Sequence, residues 1–263
     1  MLVICNGSFK SGSSWLHAIV IEILHVKGLE ISDVPEGFGK FMSPTKIKES
    51  MFLDFVNKYQ DRIKTKTYIT KSHYYSVNTH KYNYPKDVVF LFITREIKDA
   101  VVSHYHHFCN ERNINIDFKI YYLLIGRYKA YEIYRFNKIC MKYHNRDFFF
   151  IYENLKKDFN KEVQRIVRSL GFNILSEYQL DIIRKNTNIL EMRSAAKKGL
   201  TKYYPDKNGE NWKQFRKGLV GDWKNYFSEK NVIDIQDMLD ERNLWFRKFI
   251  FFIFFIIRRK LVK

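Results

Sequence analysis

Residues 2–16 read Leu2-Val3-Ile4-Cys5-Asn6-Gly7-Ser8-Phe9-Lys10-Ser11-Gly12-Ser13-Ser14-Trp15-Leu16. A short apolar run, Leu2 to Cys5, meets a loop of small and hydroxyl residues. Apolar positions then resume at Leu16, Ala18-Ile19-Val20 and Ile23-Leu24, the spacing of a buried helix face. The stretch predicts strand, loop and helix. Gly7 and Gly12 let backbone N–H groups approach an anion, and the N-terminus of the following helix adds a favourable field there.

Working outward, Tyr68-Ile69-Thr70 reads as a second strand ending at Lys71-Ser72-His73, and Val88 to Thr94 as a third ending at Arg95. A fourth, Asp147 to Tyr152, ends at Glu153-Asn154-Leu155, and helical patterns cover 99–108, 119–143 and 158–170. Continuous apolar runs mark strands buried on both faces, and their alternation with helices predicts an α/β fold with a central parallel sheet flanked by helices. In such sheets ligands bind beyond the carboxyl ends of the strands, where every polar cluster just named falls.

The chain has 263 residues, 46% of them hydrophobic and 17% aromatic, which predicts a folded protein with a large core. No repeat, linker or low-complexity stretch divides it, so residues 1–248 are read as one domain and 249–263 as an apolar-basic tail. The net charge of +18 creates a field that draws anionic ligands, nucleic acid or acidic membrane surfaces. Its richness in Lys, Asn, Ile, Phe and Tyr is also what an AT-rich genome produces without selection for binding. Cys5, Cys109 and Cys140 are too few and too far apart for a zinc knuckle or disulfide framework, which points to a reduced, cytoplasmic setting. The start lacks the basic segment and long apolar core of a secretory signal. Phe249 to Ile257 is an apolar run between Arg247-Lys248 and Arg258-Arg259-Lys260, shorter than the roughly 20 residues that a spanning helix needs. Two placements suit it: a final helix packed on the body, or a membrane-surface foot flanked by cations.

The loop departs from a Walker-type phosphate loop in its chemistry. A nucleotide triphosphatase carries Lys and then Ser or Thr after the second glycine, whereas Ser13 and Ser14 follow Gly12 here and the lysine is Lys10. Arg95 stands at the end of the Val88 to Thr94 strand, where a magnesium-orienting acid would sit. Lys10, Arg95 and the hydroxyls suit an anion stabilised by protein cations without a metal. His104, His106 and His107 have no carboxylate or cysteine at ligand spacing, so no metal site is read there.

Four separated motifs, in order over residues 8–223, resemble those of the cytosolic-type sulfotransferases, whose sulfuryl donor is 3′-phosphoadenosine 5′-phosphosulfate (PAPS). Phe9-Lys10-Ser11-Gly12-Ser13-Ser14-Trp15 is similar to the family's Tyr-Pro-Lys-Ser-Gly-Thr-Thr-Trp loop. The likeness implies that Lys10 contacts the bridging oxygen and sulfuryl group, that Ser11, Gly12, Ser13 and Ser14 hold the 5′-phosphate, and that Trp15 stacks on adenine. Lys71-Ser72-His73 resembles Lys-Thr-His, which implies His73 as general base and Lys71 as a charge-neutralising partner; imidazole titrates near neutrality and can take a hydroxyl proton. Tyr74 and Tyr75 replace the Leu-Pro that usually follows.

Arg95 and Ser103 keep the spacing of the family's Arg-x-Pro-x-Asp-x-x-x-Ser segment, which clamps the 3′-phosphate. Arg216-Lys217-Gly218-Leu219-Val220-Gly221-Asp222-Trp223 matches the signature Arg-Lys-Gly-x-x-Gly-Asp-Trp, by which Arg216, Lys217 and Gly218 would complete that site. Tyr152 with Glu153-Asn154-Leu155 resembles Tyr-Glu-Asp-Leu, whose tyrosine approaches adenine. Thr187 and Met192 fall where Thr-Ser-Phe-x-x-Met would be, with Ile189 in place of Phe.

The resemblance implies the P-loop-like sulfotransferase fold and transfer of a sulfuryl group from PAPS to a hydroxyl or amine, releasing adenosine 3′,5′-bisphosphate (PAP). The acceptor would be a small molecule, a carbohydrate or a lipid. Each cation near the reacting group could contribute about 4 kcal/mol at ~4 Å and an effective dielectric of about 20, before desolvation. The alternatives are a P-loop kinase-like phosphotransferase, which needs magnesium and an acid to hold it, and an inactive nucleotide- or nucleic-acid-binding module, which leaves the spacing of Arg95, Ser103 and Arg216 unexplained.

Overall fold

The computed structural model describes residues 1–40, 43–198 and 217–242. Strands β1 (Leu2–Gly7), β2 (Gly39–Lys40), β3 (Ser43–Ile47), β4 (Tyr68–Ser72), β5 (Val88–Thr94) and β6 (Phe149–Ile151) form two sheets. The main sheet is fully parallel in the order β4-β1-β5-β6, with β2 and β3 a separate antiparallel pair. The longer helices are α1 (Ser13–Val26), α2 (Ile97–Arg112), α3 (Arg127–Tyr143), α4 (Phe159–Ser169), α5 (Glu177–Asn186), α6 (Ile189–Lys197) and α7 (Glu229–Leu239).

The described chain divides into two compact units, residues 1–96 with 136–220, and residues 97–135 with 221 onward. In the first, strand residues alternate between two cores, as the two-residue strand period requires. Val3 and Cys5 of β1 and Leu91 and Ile93 of β5 face α1 and α4 through Leu16, Ile19, Ile23, Val163, Ile166 and Val167. Leu2 and Ile4, with Phe90 and Phe92, face the opposite way, onto Phe52, Phe55, Tyr68 and Phe149. Burial on both faces is why these strands read as unbroken apolar runs. The second unit has its own core of Val101, Val102, Tyr121, Tyr122, Ile133, Phe227, Ile235 and Met238.

Two expectations are adjusted. The helix expected over 119–143 begins as a short turn, Phe118–Tyr121, and passes through a π-helical segment, Tyr122–Gly126, before α3. The absence of a side chain at Gly126 makes the room: a Cβ there would lie 2.9 Å from Cδ2 of Tyr122 and 3.2 Å from Cε1 of Tyr121. The strand expected over Asp147 to Tyr152 is shorter. A 3-10 turn takes Arg146–Phe148, and Tyr152 opens a short helix, Tyr152–Lys157. The run Phe249 to Ile257 lies outside the described residues.

Candidate active site

The loop from β1 to α1 is folded tightly on itself. Ser11 donates to the Ser8 carbonyl through both its N–H (3.2 Å) and its hydroxyl (2.8 Å). Lys10 has φ 60° and Gly12 φ 102°, both in the left-handed region, and Gly12 is the N-cap of α1, its carbonyl accepting from the N–H of Trp15 and of Leu16. Neither glycine has room for a side chain. A Cβ on Gly7 would lie 2.6 Å from Oγ of Ser11, and one on Gly12 would lie 2.7 Å from Cδ2 of Tyr152. Alternating backbone handedness of this kind turns successive N–H groups toward one concavity, and the 14-residue α1 adds its N-terminal field. The hydroxyl of Ser8 is buried with no hydrogen-bond partner among the described residues. A concave turn, a helix N-terminus and such a hydroxyl form a donor set that fits a phosphate or sulfate ester.

Beside the loop stands the end of β4. Lys71 pairs in register with Cys5, and its Nζ donates to Oγ of Ser14 at 3.0 Å. His73, the next residue but one, places Nδ1 2.6 Å from the Gly7 carbonyl oxygen. A carbonyl can only accept, so Nδ1 carries a hydrogen, and in the neutral ring Nε2 then holds the lone pair. Phe9 stacks on the imidazole, with centroids 4.9 Å apart and planes 14° from parallel, although 45% of its own surface is exposed. The loop thus holds His73 from two sides, by the Gly7 carbonyl and the Phe9 ring.

A third group surrounds Tyr152. The Arg95 guanidinium lies 4.4 Å over its ring and donates to the Leu219 carbonyl at 2.7 Å. The Tyr152 hydroxyl donates to the Gly218 carbonyl at 3.2 Å. Gly218 has φ 63°, and a Cβ there would lie 2.6 Å from Cδ1 of Ile189. Trp15 meets Tyr152 edge-on at 5.3 Å and donates from Nε1 to the Thr187 carbonyl at 3.0 Å. Thr187 itself is buried, its hydroxyl donating to the Ile183 carbonyl at 2.7 Å. Its visible work is to anchor Trp15 through the backbone. Glu153 accepts from the Glu96 N–H at 3.1 Å, tying the end of β6 to the end of β5.

Lys10, Ser11, Gly12, Ser13, Ser14, Trp15, Lys71, His73, Arg95, Tyr152, Thr187, Lys217 and Gly218 all belong to the first unit. Lys217 is exposed, and Arg216 lies outside the described residues. Ser103 sits half-buried on α2 in the second unit. There Asp99, almost fully buried, accepts from the N–H of Gly221 (2.7 Å) and of Trp223 (3.0 Å), while Lys98 lies 4.4 Å over the Trp223 ring. Gly221 and Trp223 are therefore tied to the first turn of α2 through its acid. His104 faces the Tyr121 hydroxyl, His106 that of Tyr226, and His107 the carboxylate of Glu111. Among the described residues no group of three or more His, Cys, Asp or Glu side chains could hold a metal ion, and no helix is long and apolar enough to cross a membrane.

Sequence reasoning missed Asn6. Its only signal was a polar residue closing an apolar strand, yet it is fully buried and holds the segment that carries His73.

A sequence profile of the sulfotransferase domain matches residues 3–244. Among curated proteins the chain is 27% identical to flavonol 4′-sulfotransferase of Flaveria chlorifolia, covering 89% of this chain and 76% of that one. It is 23% identical to a flavonol sulfotransferase-like protein of Flaveria bidentis (89% and 78%) and 26% identical to sulfotransferase 2A6 of Mus musculus (83% and 76%). Two solved structures share the fold. A mouse sulfotransferase complexed with PAP gives a TM-score of 0.64 at 22% identity, covering 92% of this chain and 83% of that one. Retinol dehydratase in complex with retinol and PAP gives 0.59 at 18% identity (91% and 80%). With the loop, the strand-end histidine and the parallel sheet all inside a match that runs from β1 to beyond α7, the chain belongs to the sulfotransferase family.

Proposed function

We propose that this sulfotransferase uses PAPS as donor and a hydroxyl group of a small molecule as preferred acceptor, with His73 as general base. One observation carries the assignment of roles: the Gly7 carbonyl holds Nδ1 of His73 while Lys71, from the same strand end, reaches Ser14 of the anion loop. Base and cation thereby address one anion from one side.

In the reaction, the acceptor oxygen forms a bond to sulfur as its proton passes to Nε2 of His73. The bond from sulfur to the bridging oxygen breaks, and PAP leaves with the electron pair. Lys71 and Lys10 offset charge gathering on that oxygen, which in a water-poor site contributes more than in bulk solvent. The loop backbone, with Ser8, Ser13 and Ser14, holds the 5′-phosphate. Trp15 and Tyr152 flank the adenine, and Arg95 meets the 3′-phosphate.

Small apolar alcohols and phenols as acceptors are supported by the flavonol relatives and by the retinol-bound neighbour. Phe9, a half-exposed ring against His73, supplies a surface suited to flat molecules. Residence in the cytoplasm agrees with three free cysteines, two of them buried.

The test is the melting-temperature shift of the purified protein with PAP, AMP and magnesium-ATP. At 100 times its dissociation constant a ligand adds about 2.7 kcal/mol. A shift with PAP well above that with AMP is expected. A shift with magnesium-ATP alone would overturn the reading in favour of a kinase.

A further inference from the structure

We propose that Asn6 is a positioning residue for His73, its carboxamide carrying the β1–β4 ladder past the last paired residue and gripping the chain on both sides of the base. This rests on His73 being the general base of the sulfotransferase reaction.

The parallel register between β1 and β4 ends at Asn6 opposite Ser72. One residue later the chain must present His73 toward the loop, so the peptide groups beyond Ser72 lose their strand partners. The Asn6 side chain replaces them. Its Nδ2 donates to the Tyr74 carbonyl at 3.0 Å, and its Oδ1 accepts from the Tyr74 N–H at 2.8 Å. A carboxamide is the one side-chain group that offers donor and acceptor in the spacing of a peptide, so it closes a paired ring with the backbone of Tyr74. The same Oδ1 accepts from the Ser72 hydroxyl at 3.2 Å. Ser72 and Tyr74 are the two neighbours of His73, and both are held by a single atom. The residue after Asn6, Gly7, holds the imidazole through its carbonyl. Two consecutive residues of β1 therefore set both the backbone and the ring of the base.

The site is also sealed. Asn6 is 0% exposed, and Ser72 and Tyr74 are buried with it. Aspartate would keep the acceptor but lose the donor and bury a charge, and glutamine is too long for the same ring. The Tyr74 carbonyl takes a second hydrogen bond from Nε2 of His80, so its position is fixed from two directions.

A mutation here could simply loosen the fold, and the molecule contains its own control. Gln164 makes the same double contact with the peptide of another residue, donating to the Leu175 carbonyl (2.8 Å) and accepting from the Leu175 N–H (3.0 Å), on α4 away from the loop. The experiment compares Asn6→Ala, Ser72→Ala and Gln164→Ala with wild type, using PAPS and a flavonol such as quercetin below the melting temperature of every variant. Asn6→Ala is expected to lower kcat about 10²-fold, the scale of an ångström-size misplacement of a catalytic group, with the PAP-induced melting shift retained. Ser72→Ala should show a smaller loss of the same kind, and Gln164→Ala full kcat with a lowered melting temperature.

Nitrogen-15 NMR of the His73 ring gives a second readout that needs no acceptor. Wild type should show the tautomer with hydrogen on Nδ1, and Asn6→Ala a mixture of tautomers. Equal kcat and an unchanged tautomer in Asn6→Ala would overturn the proposal, as would losses in Gln164→Ala matching those in Asn6→Ala. If wild type and His73→Ala turn over equally, it is the reading of His73 that falls.

Discussion

The Nδ1 atom of His73 lies 2.6 Å from the carbonyl oxygen of Gly7, so the last residue of β1 engages one ring nitrogen and leaves Nε2 for the role of base proposed above. Replacing His73 with alanine is expected to lower kcat by about 10²–10⁴-fold while leaving the PAP-induced melting shift in place. Steady-state rates with a flavonol acceptor check this. Undiminished turnover would place the base elsewhere.

Gly12 and Gly28 separate backbone strain from collision. Both have positive φ, 102° and 72°, but a Cβ on Gly28 meets nothing within 4 Å while one on Gly12 runs into Tyr152. Gly28→Ala should cost about 1–2 kcal/mol from handedness alone. Gly12→Ala should cost more than that and weaken PAP binding at least ~10-fold. Urea unfolding and calorimetric titration measure the two effects, and equal stability losses would argue against the collision.

Arg95 is held by the Leu219 carbonyl and the face of Tyr152, which aims a fork of N–H donors. Lysine keeps the charge and loses the fork. Arg95→Lys is expected to raise the dissociation constant for PAP by about 10–100-fold, matching the ~1.5–3 kcal/mol of charged hydrogen bonds, with AMP affinity little changed. Equal losses for both nucleotides would detach Arg95 from the 3′-phosphate.

His80 and His144 are expected to lower stability in mild acid. Nε2 of His80 donates to the Tyr74 carbonyl, so its Nδ1 must accept from Nε2 of His144, 2.9 Å away. Burial pushes both imidazoles below their usual range, His144 to about 4 with the His80 charge as a further cause. The unfolded chain binds a proton near 6.5 and the folded one resists until about 4, so the unfolded state holds more protons in that window. The contribution of this pair is therefore constant above pH 7 and is expected to decline as pH falls from about 6.5 toward 4. After allowance for solvent screening at the half-buried His144, its share of the decline is about 1–2 kcal/mol. Urea titrations at several pH values should show it, and His144→Gln should flatten the slope.

The sheet was legible because β1 and β5 are buried on both faces, which writes their length into unbroken apolar runs. The strand, loop and helix at residues 2–26 were legible because Gly7 and Gly12 stand where a side chain has no room. Helix α5, by contrast, starts at a capping box of Ser176 and Gln179 after an irregular stretch, a local signal that composition does not announce. The π-helical segment at Tyr122–Gly126 depends on where two tyrosine rings sit, which no period encodes. Within the candidate site, Lys71 and His73 carry the chemistry proposed for them in their residue type. Asn6 and Thr187 act by holding other residues, through contacts 68 and 172 positions away in the chain. Only the folded chain displays that kind of work.

The ring of Tyr152 touches the loop at Gly12, lies beneath Arg95 and bonds to Gly218 through its hydroxyl. One rigid aromatic plate thus joins three segments that are far apart in sequence. Changes at Gly12, Arg95 and Gly218 will accordingly not behave as independent free energies. Double-mutant cycles among them should show interaction energies of about 0.5–3 kcal/mol that vanish once Tyr152 is cut back to alanine. A substitution at any one of the three is thereby felt at the other two through the shared ring.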